Sequence, residues 1–340
     1  MTSPFVSAIV VNWNGKNYLG ECLESLRKQT FLDFEIIVVD NGSTDGSVEY
    51  LRSHFPECLI IPNTSNNGFG KGNNQGIKKA KGKYIALLNN DAQADSHWLE
   101  ELLKVAEEDP RVGMVASKIY LHGSGKVIDN VGHLMYRDGL NRGRGRLELD
   151  QGQFDAIEDV LFPSGCAALY RRAMLEEVGL FDEDFFAYGD DTDLGLKGRL
   201  AGWKCVYVPG AVVYHRYSQS SSSYSPLKAF YVERNRVWIA VKYFPLFLLL
   251  TSPFYTFLRF FFQGYGALSG RGAAGKFSQE YSHFHLLRIL LKAYASAIQG
   301  LPKMWKKRKA IKKLTKVNLE EILSWFNRFG ITVQEISLKD

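Results

Sequence analysis

Four short apolar segments, rich in β-branched residues, constrain the fold of this 340-residue chain most strongly. They cover residues 6–12, 34–40, 58–61 and 83–88, and stretches with helical periodicity fall between them at about 16–29, 46–54 and 70–80. Strands and helices that alternate at this spacing predict a parallel sheet with helices on both faces. A helix at about 96–108 and a strand at 112–117 continue the pattern. The predicted fold class is therefore α/β.

Polar clusters follow three of these strands. They are Asn12-Trp13-Asn14-Gly15, the run from Asp40 to Asp45, and Asn89-Asn90-Asp91. Because ligands bind at the carboxyl ends of strands in parallel sheets, the three clusters are expected to form one binding edge. Asp40 could accept the imide N–H of a pyrimidine base, and Asp91 with its amide neighbours offers the oxygen ligands that Mg²⁺ or Mn²⁺ prefers. Ordinary turns are the alternative, since Asn, Gly and Asp are common turn residues.

A second acidic cluster lies at Asp190-Asp191-Thr192-Asp193, after an aromatic run that contains Phe185, Phe186 and Tyr188. Three carboxylates in four residues repel one another, so they need a cation, a role as a base, or solvent. The neighbouring aromatic rings are expected to raise their pKa, which favours proton transfer chemistry. The alternative is that these acids only begin a helix that runs to Leu200, where a first turn favours negative charge.

The glycine-rich segment 66–74 opens a helix but does not match G-x-G-x-x-G and lacks the GK[ST] ending, so the sequence does not predict a dinucleotide or Walker-type phosphate loop. Its small residues would let the backbone approach a ribose or a base. Residues 120–160 indicate a hairpin and a mobile loop. The Arg-Gly alternation at 142–146 either holds a diphosphate or forms a solvated loop, and the loop is favoured.

The charge is divided unevenly along the chain. Residues 221–340 carry 19 Lys and Arg against 6 Asp and Glu, which leaves 23 against 30 for residues 1–220. A basic second part indicates an anionic partner. The four cysteines lie far apart and show no metal or disulfide spacing, which favours a reducing compartment. The apolar run at residues 5–11 is too short for a signal peptide and is predicted to be the first strand.

A Ser-rich segment at 218–225 marks the expected boundary between a first domain, residues 1–220, and a helical second domain, residues 221–340. The second contains a mostly apolar stretch at about 244–262, broken by two prolines and Arg259, and the basic run 303–316. This combination favours a helix in or near the face of an anionic membrane. A buried helical hairpin is the alternative, and nucleic acid is the disfavoured alternative partner for the basic run.

The order of motifs resembles a known family. VVNWNG, VVDNGSTDGS, NNGFGKGNNQGI and LLNND are followed by PSGCAALYRR, FDEDFFAYGDDTDLGLKGRLAGW and VYH. Over roughly residues 5–240 the chain resembles a family 2 glycosyltransferase of the rhamnosyltransferase-like type. The resemblance implies a GT-A fold, which is Rossmann-like with a mostly parallel central sheet. The Q-x-x-R-W signature of processive synthases is absent, which favours an enzyme that adds a single sugar.

The resemblance assigns roles to particular residues. It implies that Asp40 contacts the base, that Asp91 and His215 bind a metal, and that Asp191 is the catalytic base. The other candidates for donor binding are Asn12, Asn14, Asn41, Asn67, Gly68, Asn73, Asn89 and Asn90, and those for acceptor binding or support are Asp190, Asp193 and Tyr188. The first acid of the family's D-x-D motif is Asn89 in this chain, which leaves Asp91 as the one acid of the motif.

The expected function is inverting, Mg²⁺- or Mn²⁺-dependent transfer of a sugar, with rhamnose as a candidate, from a dTDP- or UDP-linked donor. The acceptor would be a saccharide or a lipid-linked saccharide in cell-surface polysaccharide synthesis at the cytoplasmic face of the membrane. A nucleotide-binding oxidoreductase is disfavoured because the glycine-rich segment does not follow the first strand. An inactive scaffold that kept the fold is the remaining alternative, which Asn89 supports only slightly.

Overall fold

A computed structural model describes residues 3–216 and 225–339, which divide into two compact units. Within the described residues, the first unit holds 3–132 and 143–216, and the second holds 133–142 and 225–339. The short segment 133–142 thus belongs with the second unit, although the sequence placed it in the first domain. The predicted Ser-rich boundary at 218–225 lies outside the described residues except for Ser225, which caps the first helix of the second unit.

The strands, β1 to β12 in chain order, are Val6–Asn12, Phe34–Asp40, Leu59–Pro62, Tyr84–Leu88, Ala92–Ala94, Val112–Leu121, Ile128–Asn130, His133–Met135, Asn141–Gly143, Glu158–Asp159, Ala167–Arg171 and Lys204–His215. The helices, α1 to α12, are Lys16–Arg27, Ser47–His54, Phe69–Lys79, Trp98–Glu108, Arg172–Val178, Asp190–Leu200, Pro226–Tyr243, Leu246–Ser269, Gly272–Glu280, His283–Leu314, Leu319–Arg328 and Val333–Leu338. The strands and helices expected in the first half therefore occur in the predicted order and begin close to their predicted positions.

The central sheet of the first unit has the strand order β10-β12-β6-β11-β4-β1-β2-β3, with β5 paired to β12 and β7 to β6. Strands β1 to β4 are parallel to one another, so their carboxyl ends lie at one edge of the sheet. Strand β11 runs antiparallel between β4 and β6. The sheet is thus parallel on one side and mixed on the other.

Both faces of the sheet are buried, as the continuous apolar character of its strands predicts. In β1, the side chains of Ala8 and Val10 pack with Leu19 and Leu23 of α1 on one face. Ile9 points to the other face and packs with the residues around α3. Alternate residues of one strand therefore supply two separate cores, so both sets of side chains in β1 are mostly apolar, with the buried Ser7 as an exception.

The second unit is mainly helical and contains the apolar segment that the sequence singled out. That segment forms α8, Leu246–Ser269, which continues through Pro253 without a break in the helix. Among the described residues, α8 alone is long and apolar enough to cross a membrane by length and composition. Residues 303–314 of the basic run form the carboxyl-terminal part of α10, whose buried side packs against α7.

A buried ion-pair cluster holds α8 within the second unit. The Arg259 guanidinium is fully buried and donates to Asp138 Oδ2 at 2.7 Å and to both oxygens of Glu233 at 2.8 and 2.9 Å. Burial alone would raise the pKa of Glu233, but Arg259 and Arg236 outweigh it and lower the pKa to about 2. A carboxylate whose pKa is lowered by folding stabilises the protein above its ordinary pKa of about 4.5, and this stabilisation is lost as the pH falls towards 2.

We predict that Arg259→Met destabilises the second unit. Removing this cation leaves Arg236 as the remaining partner of the buried Asp138 and Glu233 carboxylates. Loss of one partner of a buried ion pair costs about 3–5 kcal/mol. Urea unfolding followed by circular dichroism at pH 7 should show a lower midpoint for the helical signal. Arg288→Met, at an exposed position on α10, is the matched control and should leave the midpoint unchanged. Equal midpoints for Arg259→Met and the unsubstituted protein would contradict the role of the cluster.

Candidate active site

One side chain links the carboxyl ends of three parallel strands. Asn12 ends β1, donates to Asp40 Oδ2 at the end of β2 at 2.9 Å, and accepts from Asn90 Nδ2 beyond β4 at 2.7 Å. All three residues are buried. Asp40 Oδ1 also accepts from the Ser43 backbone N–H at 2.8 Å. Each oxygen of the Asp40 carboxylate retains a lone pair, so Asp40 can still accept a hydrogen bond from a ligand.

Asn14 connects the loop after β1 to the loop after β2. Its backbone N–H donates to Ser43 Oγ at 2.8 Å, and its side-chain oxygen accepts from the Thr44 N–H at 2.8 Å. The φ of Asn14 is +51°, in the left-handed region that Asn tolerates better than most residues. These bonds hold the two loops in one orientation at the edge of the sheet.

The glycine-rich segment is joined to the aromatic run that precedes α6. Gly68 has a φ of +79°, and a Cβ placed on it would lie 2.2 Å from the Phe186 carbonyl oxygen. The Phe69 N–H donates to that same oxygen at 2.7 Å. Phe186 and Tyr188 themselves have φ values of +67° and +64°, which for residues with side chains costs about 1–3 kcal/mol each. Backbone strain is therefore concentrated at this junction, as is common at binding sites.

Three amides predicted to bind the donor have different surroundings. Asn41 donates to the Gly68 carbonyl oxygen at 3.0 Å and accepts from Asn63 at 3.1 Å, so it joins the end of β2 to the glycine-rich segment. Asn73 is buried and donates to the Phe69 carbonyl oxygen at 3.0 Å within α3. Asn67 is half-buried at the start of the segment. Asn41 and Asn73 therefore have clear roles in holding the segment in place.

The acidic cluster forms the first turn of α6. Gly189 precedes the helix in the left-handed region, and the helix has no side-chain cap. Asp190 is buried, and its Oδ1 has no hydrogen-bond partner among the described residues. Burial, and after it the charge of Asp191, raises the pKa of Asp190 well above its usual value. Asp193 is fully buried with Lys197 Nζ 3.6 Å from its Oδ2. Asp191, the middle acid, is half-buried and therefore the most accessible of the three.

A short loop before β11 connects Asp191 to the edge of the sheet. The Gly165 N–H donates to Asp191 Oδ2 at 3.1 Å, while the Cys166 carbonyl oxygen accepts from the Asn89 N–H at 2.8 Å. Gly165 also lies against Phe69, because a Cβ placed there would be 2.9 Å from that ring. Consecutive residues of one loop thus contact the cluster after β4, the glycine-rich segment and the start of α6.

His215 and Asp91 lie side by side at the same edge. The His215 Nε2 is 3.3 Å from Asp91 Oδ1, and its Nδ1 is 2.7 Å from Asp129 Oδ2 in β7. The Arg146 guanidinium in turn contacts Asp129. Burial by itself lowers the pKa of His215, but Cys166, Asp129 and Asp91 outweigh it and raise that pKa well above its usual value.

Asp91 and His215 could hold a divalent cation as part of a larger ligand set. Donor atoms 3.3 Å apart suit neighbouring positions on a cation with bonds of about 2.0–2.3 Å. The bond from Asp129 to the second ring nitrogen is the arrangement that orients a metal-binding histidine. Among the described residues no cluster of three or more His, Cys, Asp or Glu side chains forms a metal site. Oxygens of a substrate diphosphate and water would have to complete the coordination.

Several contributors to the site were not assigned their present roles from the sequence. Asp129 and Arg146 lie on a segment expected to be a mobile loop, but Arg146 contacts Asp129, and Arg144 pairs with Glu158 at 2.6 Å. Gly165 appeared only as part of the motif PSGC. Arg144 and Arg146 are therefore paired with acidic side chains of the protein. At these two positions, the Arg-Gly alternation is neither a solvated loop nor a pair of arginines left without a partner for a diphosphate.

The model of the family described as "Glycosyl transferase family 2" matches residues 7–179, which is about half of the chain. The chain belongs to glycosyl transferase family 2. An N-acetylglucosaminyl-diphospho-decaprenol L-rhamnosyltransferase of Mycobacterium tuberculosis is 28% identical over 235 residues, which cover 63% of this chain and 76% of that protein. An uncharacterized glycosyltransferase of Rickettsia prowazekii is 29% identical over 195 residues, which cover 57% of this chain. The match spans 58% of the length of the Rickettsia protein.

Solved structures of glycosyltransferases share the fold. GalNAc-T7 with UDP, GalNAc and Mn²⁺ matches with a TM-score of 0.57 and 18% identity, over 71% of this chain and 48% of that one. Residues 1–349 of TarS from S. aureus, in complex with UDP, match with a TM-score of 0.54 and 17% identity. This match covers 98% of this chain and 89% of the TarS chain. The predicted α/β fold of the GT-A type and the rhamnosyltransferase-like family 2 membership are confirmed.

In this family 2 chain, we predict that Gly68→Ala disturbs the glycine-rich segment. Gly68 has φ +79° and ψ 176°, a backbone conformation that is essentially confined to glycine and costs about 1–3 kcal/mol for other residues. The overlap of a Cβ with the Phe186 carbonyl oxygen adds to this cost. Gly123→Ala is the matched control, because Gly123 has a φ of +73° and open space around its Cβ position. The unfolding temperature should fall further for Gly68→Ala than for Gly123→Ala, and UDP affinity should fall for Gly68→Ala alone. Equal unfolding temperatures and equal UDP affinities of the two variants would contradict the role of Gly68 in the glycine-rich segment.

We also predict that Asp129→Asn weakens Mn²⁺ binding by about 10- to 100-fold, because the amide no longer orients and polarises His215 as the carboxylate does. Isothermal titration of Mn²⁺ in the presence of UDP measures this without turnover. Asp33→Asn, an exposed acid at the opposite end of β2, is the control. Unchanged Mn²⁺ affinity in Asp129→Asn, with the expected circular dichroism spectrum, would show that His215 does not bind the ion.

Proposed function

We propose that this protein is an inverting glycosyltransferase that uses a divalent cation and a nucleotide-diphosphate sugar. The observation that carries the proposal is the loop at Gly165 and Cys166, which contacts Asp191 and Asn89 through adjacent residues. An accessible carboxylate is thereby held beside the cluster at the ends of β1, β2 and β4. This is the arrangement that a base needs in order to act on an acceptor next to a bound donor.

The donor is proposed to lie along the edge formed by Asn12, Asp40 and the glycine-rich segment. Asp40 would accept the imide N–H of uracil or thymine, and the small residues of the glycine-rich segment would let its backbone approach the ribose. A cation held by Asp91 and His215 would supply positive charge to the leaving diphosphate. Mn²⁺ in the GalNAc-T7 structure and UDP in the TarS structure support a cation and a nucleotide at such a site.

Asp191 would act as the general base. As its carboxylate takes the proton of an acceptor hydroxyl, the acceptor oxygen forms a bond to the anomeric carbon. The bond from that carbon to the diphosphate oxygen breaks, and the nucleoside diphosphate leaves with the electron pair. Attack on the face opposite the leaving group inverts the anomeric configuration. Asp190, whose pKa burial raises, is favoured in its neutral form and would support the turn, together with Asp193 and Tyr188.

We propose a saccharide or lipid-linked saccharide as acceptor, and cell-surface polysaccharide synthesis at the cytoplasmic face of the membrane as the setting. The Mycobacterium relative is named as a rhamnosyltransferase acting on N-acetylglucosaminyl-diphospho-decaprenol, which supports rhamnose as a candidate sugar and a lipid-linked acceptor. The excess of Lys and Arg in residues 221–340 supports an anionic membrane surface as a partner.

We predict that Asp191→Asn keeps donor binding and loses turnover by about 10²–10⁴-fold, because the amide cannot accept the proton. Donor binding is measured as the thermal stabilisation by UDP- and dTDP-sugars with and without Mn²⁺, and the largest stabilisation identifies the donor. Turnover is measured as nucleoside diphosphate release, including hydrolysis of the donor in the absence of acceptor.

Two neighbouring variants serve as controls for this prediction. Asp190→Asn replaces a carboxyl group that is favoured in its neutral form and should cost less turnover than Asp191→Asn. Asp33→Asn should have no effect on either measurement. Retained turnover in Asp191→Asn would exclude it as the base. If no nucleotide sugar stabilises the unsubstituted protein, and Mn²⁺ gives no donor hydrolysis, the protein is an inactive scaffold and the proposal is wrong.

A further inference from the structure

The helix α8 presents a continuous apolar stripe to the outside of the second unit. Its exposed members, each more than half exposed, are Phe247, Leu250, Phe254, Phe257, Phe261, Tyr265 and Leu268. On a helix that turns by about 100° per residue, these positions fall within a stripe roughly 80° wide. A contiguous apolar surface of this size on a folded protein marks an interaction site.

The opposite side of α8 is fixed inside the second unit. Leu248, Ser252, Arg259 and Gly266 are its buried residues. Arg259 pairs with Asp138 and Glu233, and it also donates to Gln263 Oε1 at 2.9 Å. The buried pairs therefore prevent α8 from rotating about its axis. The side that carries the phenylalanines has to remain outside.

The same cluster argues against α8 as a membrane-spanning helix. With 24 residues, α8 is about 36 Å long and could cross a hydrocarbon core of about 30 Å. Arg259 lies near its middle, however, and spanning would carry Asp138 and Glu233 to the centre of the bilayer with it. Ionised groups at that depth are costly. A helix lying in the plane of the membrane keeps the cluster on the protein side while the apolar stripe enters the lipid.

Exposed cations in the same unit identify the lipid. Lys306, Lys309, Lys312 and Lys313 are exposed on the last turns of α10. Farther towards its start, α10 exposes a second apolar set, Phe284, Leu287, Leu291, Ile298 and Trp305. Exposed apolar side chains combined with a lysine cluster suit a surface that is apolar below and anionic above, as an acidic phospholipid bilayer is.

We infer that the second unit binds an anionic phospholipid bilayer with α8 lying in the membrane plane and its apolar stripe inserted to the level of the upper acyl chains. The lysines of α10 contact the headgroups. This inference deepens the membrane part of the proposed function by naming the surface and the lipid. It does not depend on Asp191 being the base, because vesicle binding can be measured without turnover.

The first test is sedimentation of the full-length protein with vesicles of phosphatidylcholine, with and without phosphatidylglycerol. The triple variant Phe254→Ser, Phe257→Ser, Phe261→Ser should bind the mixed vesicles at least tenfold more weakly than the unsubstituted protein. The matched control is Leu32→Ser, Leu149→Ser, Ile157→Ser, which changes three apolar residues of the first unit that are also more than half exposed. The control should bind normally. Equal loss in both triple variants, or no loss in either, would overturn the assignment of the surface.

The second test concerns charge. Replacing Lys306, Lys309, Lys312 and Lys313 by Gln should weaken binding to the mixed vesicles roughly fivefold per lysine and leave the weak binding to phosphatidylcholine unchanged. Tighter binding of the unsubstituted protein to duplex DNA or to RNA than to vesicles would overturn lipid as the partner. If the unsubstituted protein dimerises without vesicles and the triple phenylalanine variant does not, α8 is covered by a second copy of the chain instead of lipid.

The third test distinguishes a helix in the plane from one that spans. Leu250→Cys, Phe257→Cys and Leu268→Cys are labelled singly with a fluorophore, since the four native cysteines are buried. Quenching by lipids that carry nitroxides at different depths should place all three labels at the same shallow depth. A label at 257 that lies deeper than those at 250 and 268 would show a spanning helix and contradict the inference.

Normal vesicle binding by a protein without turnover would count against the proposed function and not against this inference. Normal turnover with no vesicle binding would contradict this inference and leave the proposed catalytic function in place. Asp191→Asn should bind vesicles as well as the unsubstituted protein.

Discussion

The hydrogen bonds of Asn12 are the interaction on which the site depends. Parallel pairing brings Asn12, Asp40 and the Asn89–Asp91 cluster to one edge of the sheet, and the Asn12 amide then connects Asp40 to Asn90. The buried Asn12 amide donates a hydrogen bond to the Asp40 carboxylate with its nitrogen and accepts one from the Asn90 amide with its oxygen. The loops after β1 and β2 are positioned by the same hydrogen bonds, because Ser43 bonds to Asp40, Asn12 and Asn14.

From this edge, contacts extend through two loops to the start of α6. The Gly165–Cys166 pair holds Asp191 beside Asn89, and the strained backbone around Phe186 is locked to Gly68. Asp191, the proposed base, lies in the first turn of a helix, which is a rigid position. In the second unit, one buried cation similarly determines which side of α8 is exposed. In both units a few buried polar contacts therefore orient the surface that is proposed to be functional.

The sequence predicted the strands and helices of the first half of the chain well, because buried parallel strands such as 6–12 and 34–40 are mostly apolar on both faces. It also predicted that Asn12, Asp40 and Asp91 lie at one edge, since that follows from strand direction. The roles of Asp129 and Arg146 could not be predicted from local sequence patterns. Asp129 bonds to His215, which lies 86 residues farther along the chain. Arg146 joins the site through its contact with Asp129. The membership of residues 133–142 in the second unit depends likewise on long-range packing, which no local pattern indicates.

We propose that the carboxyl edge of β1, β2 and β4 binds a nucleotide sugar with a cation beside it. A crystal structure of the protein grown with UDP and Mn²⁺, with anomalous scattering measured at the manganese edge, tests this directly. We expect an anomalous peak bonded to Asp91, to His215 and to the diphosphate, with the uracil at Asp40 and with Asp191 open to solvent nearby. A nucleotide bound away from Asp40, or a peak away from Asp91 and His215, would contradict it.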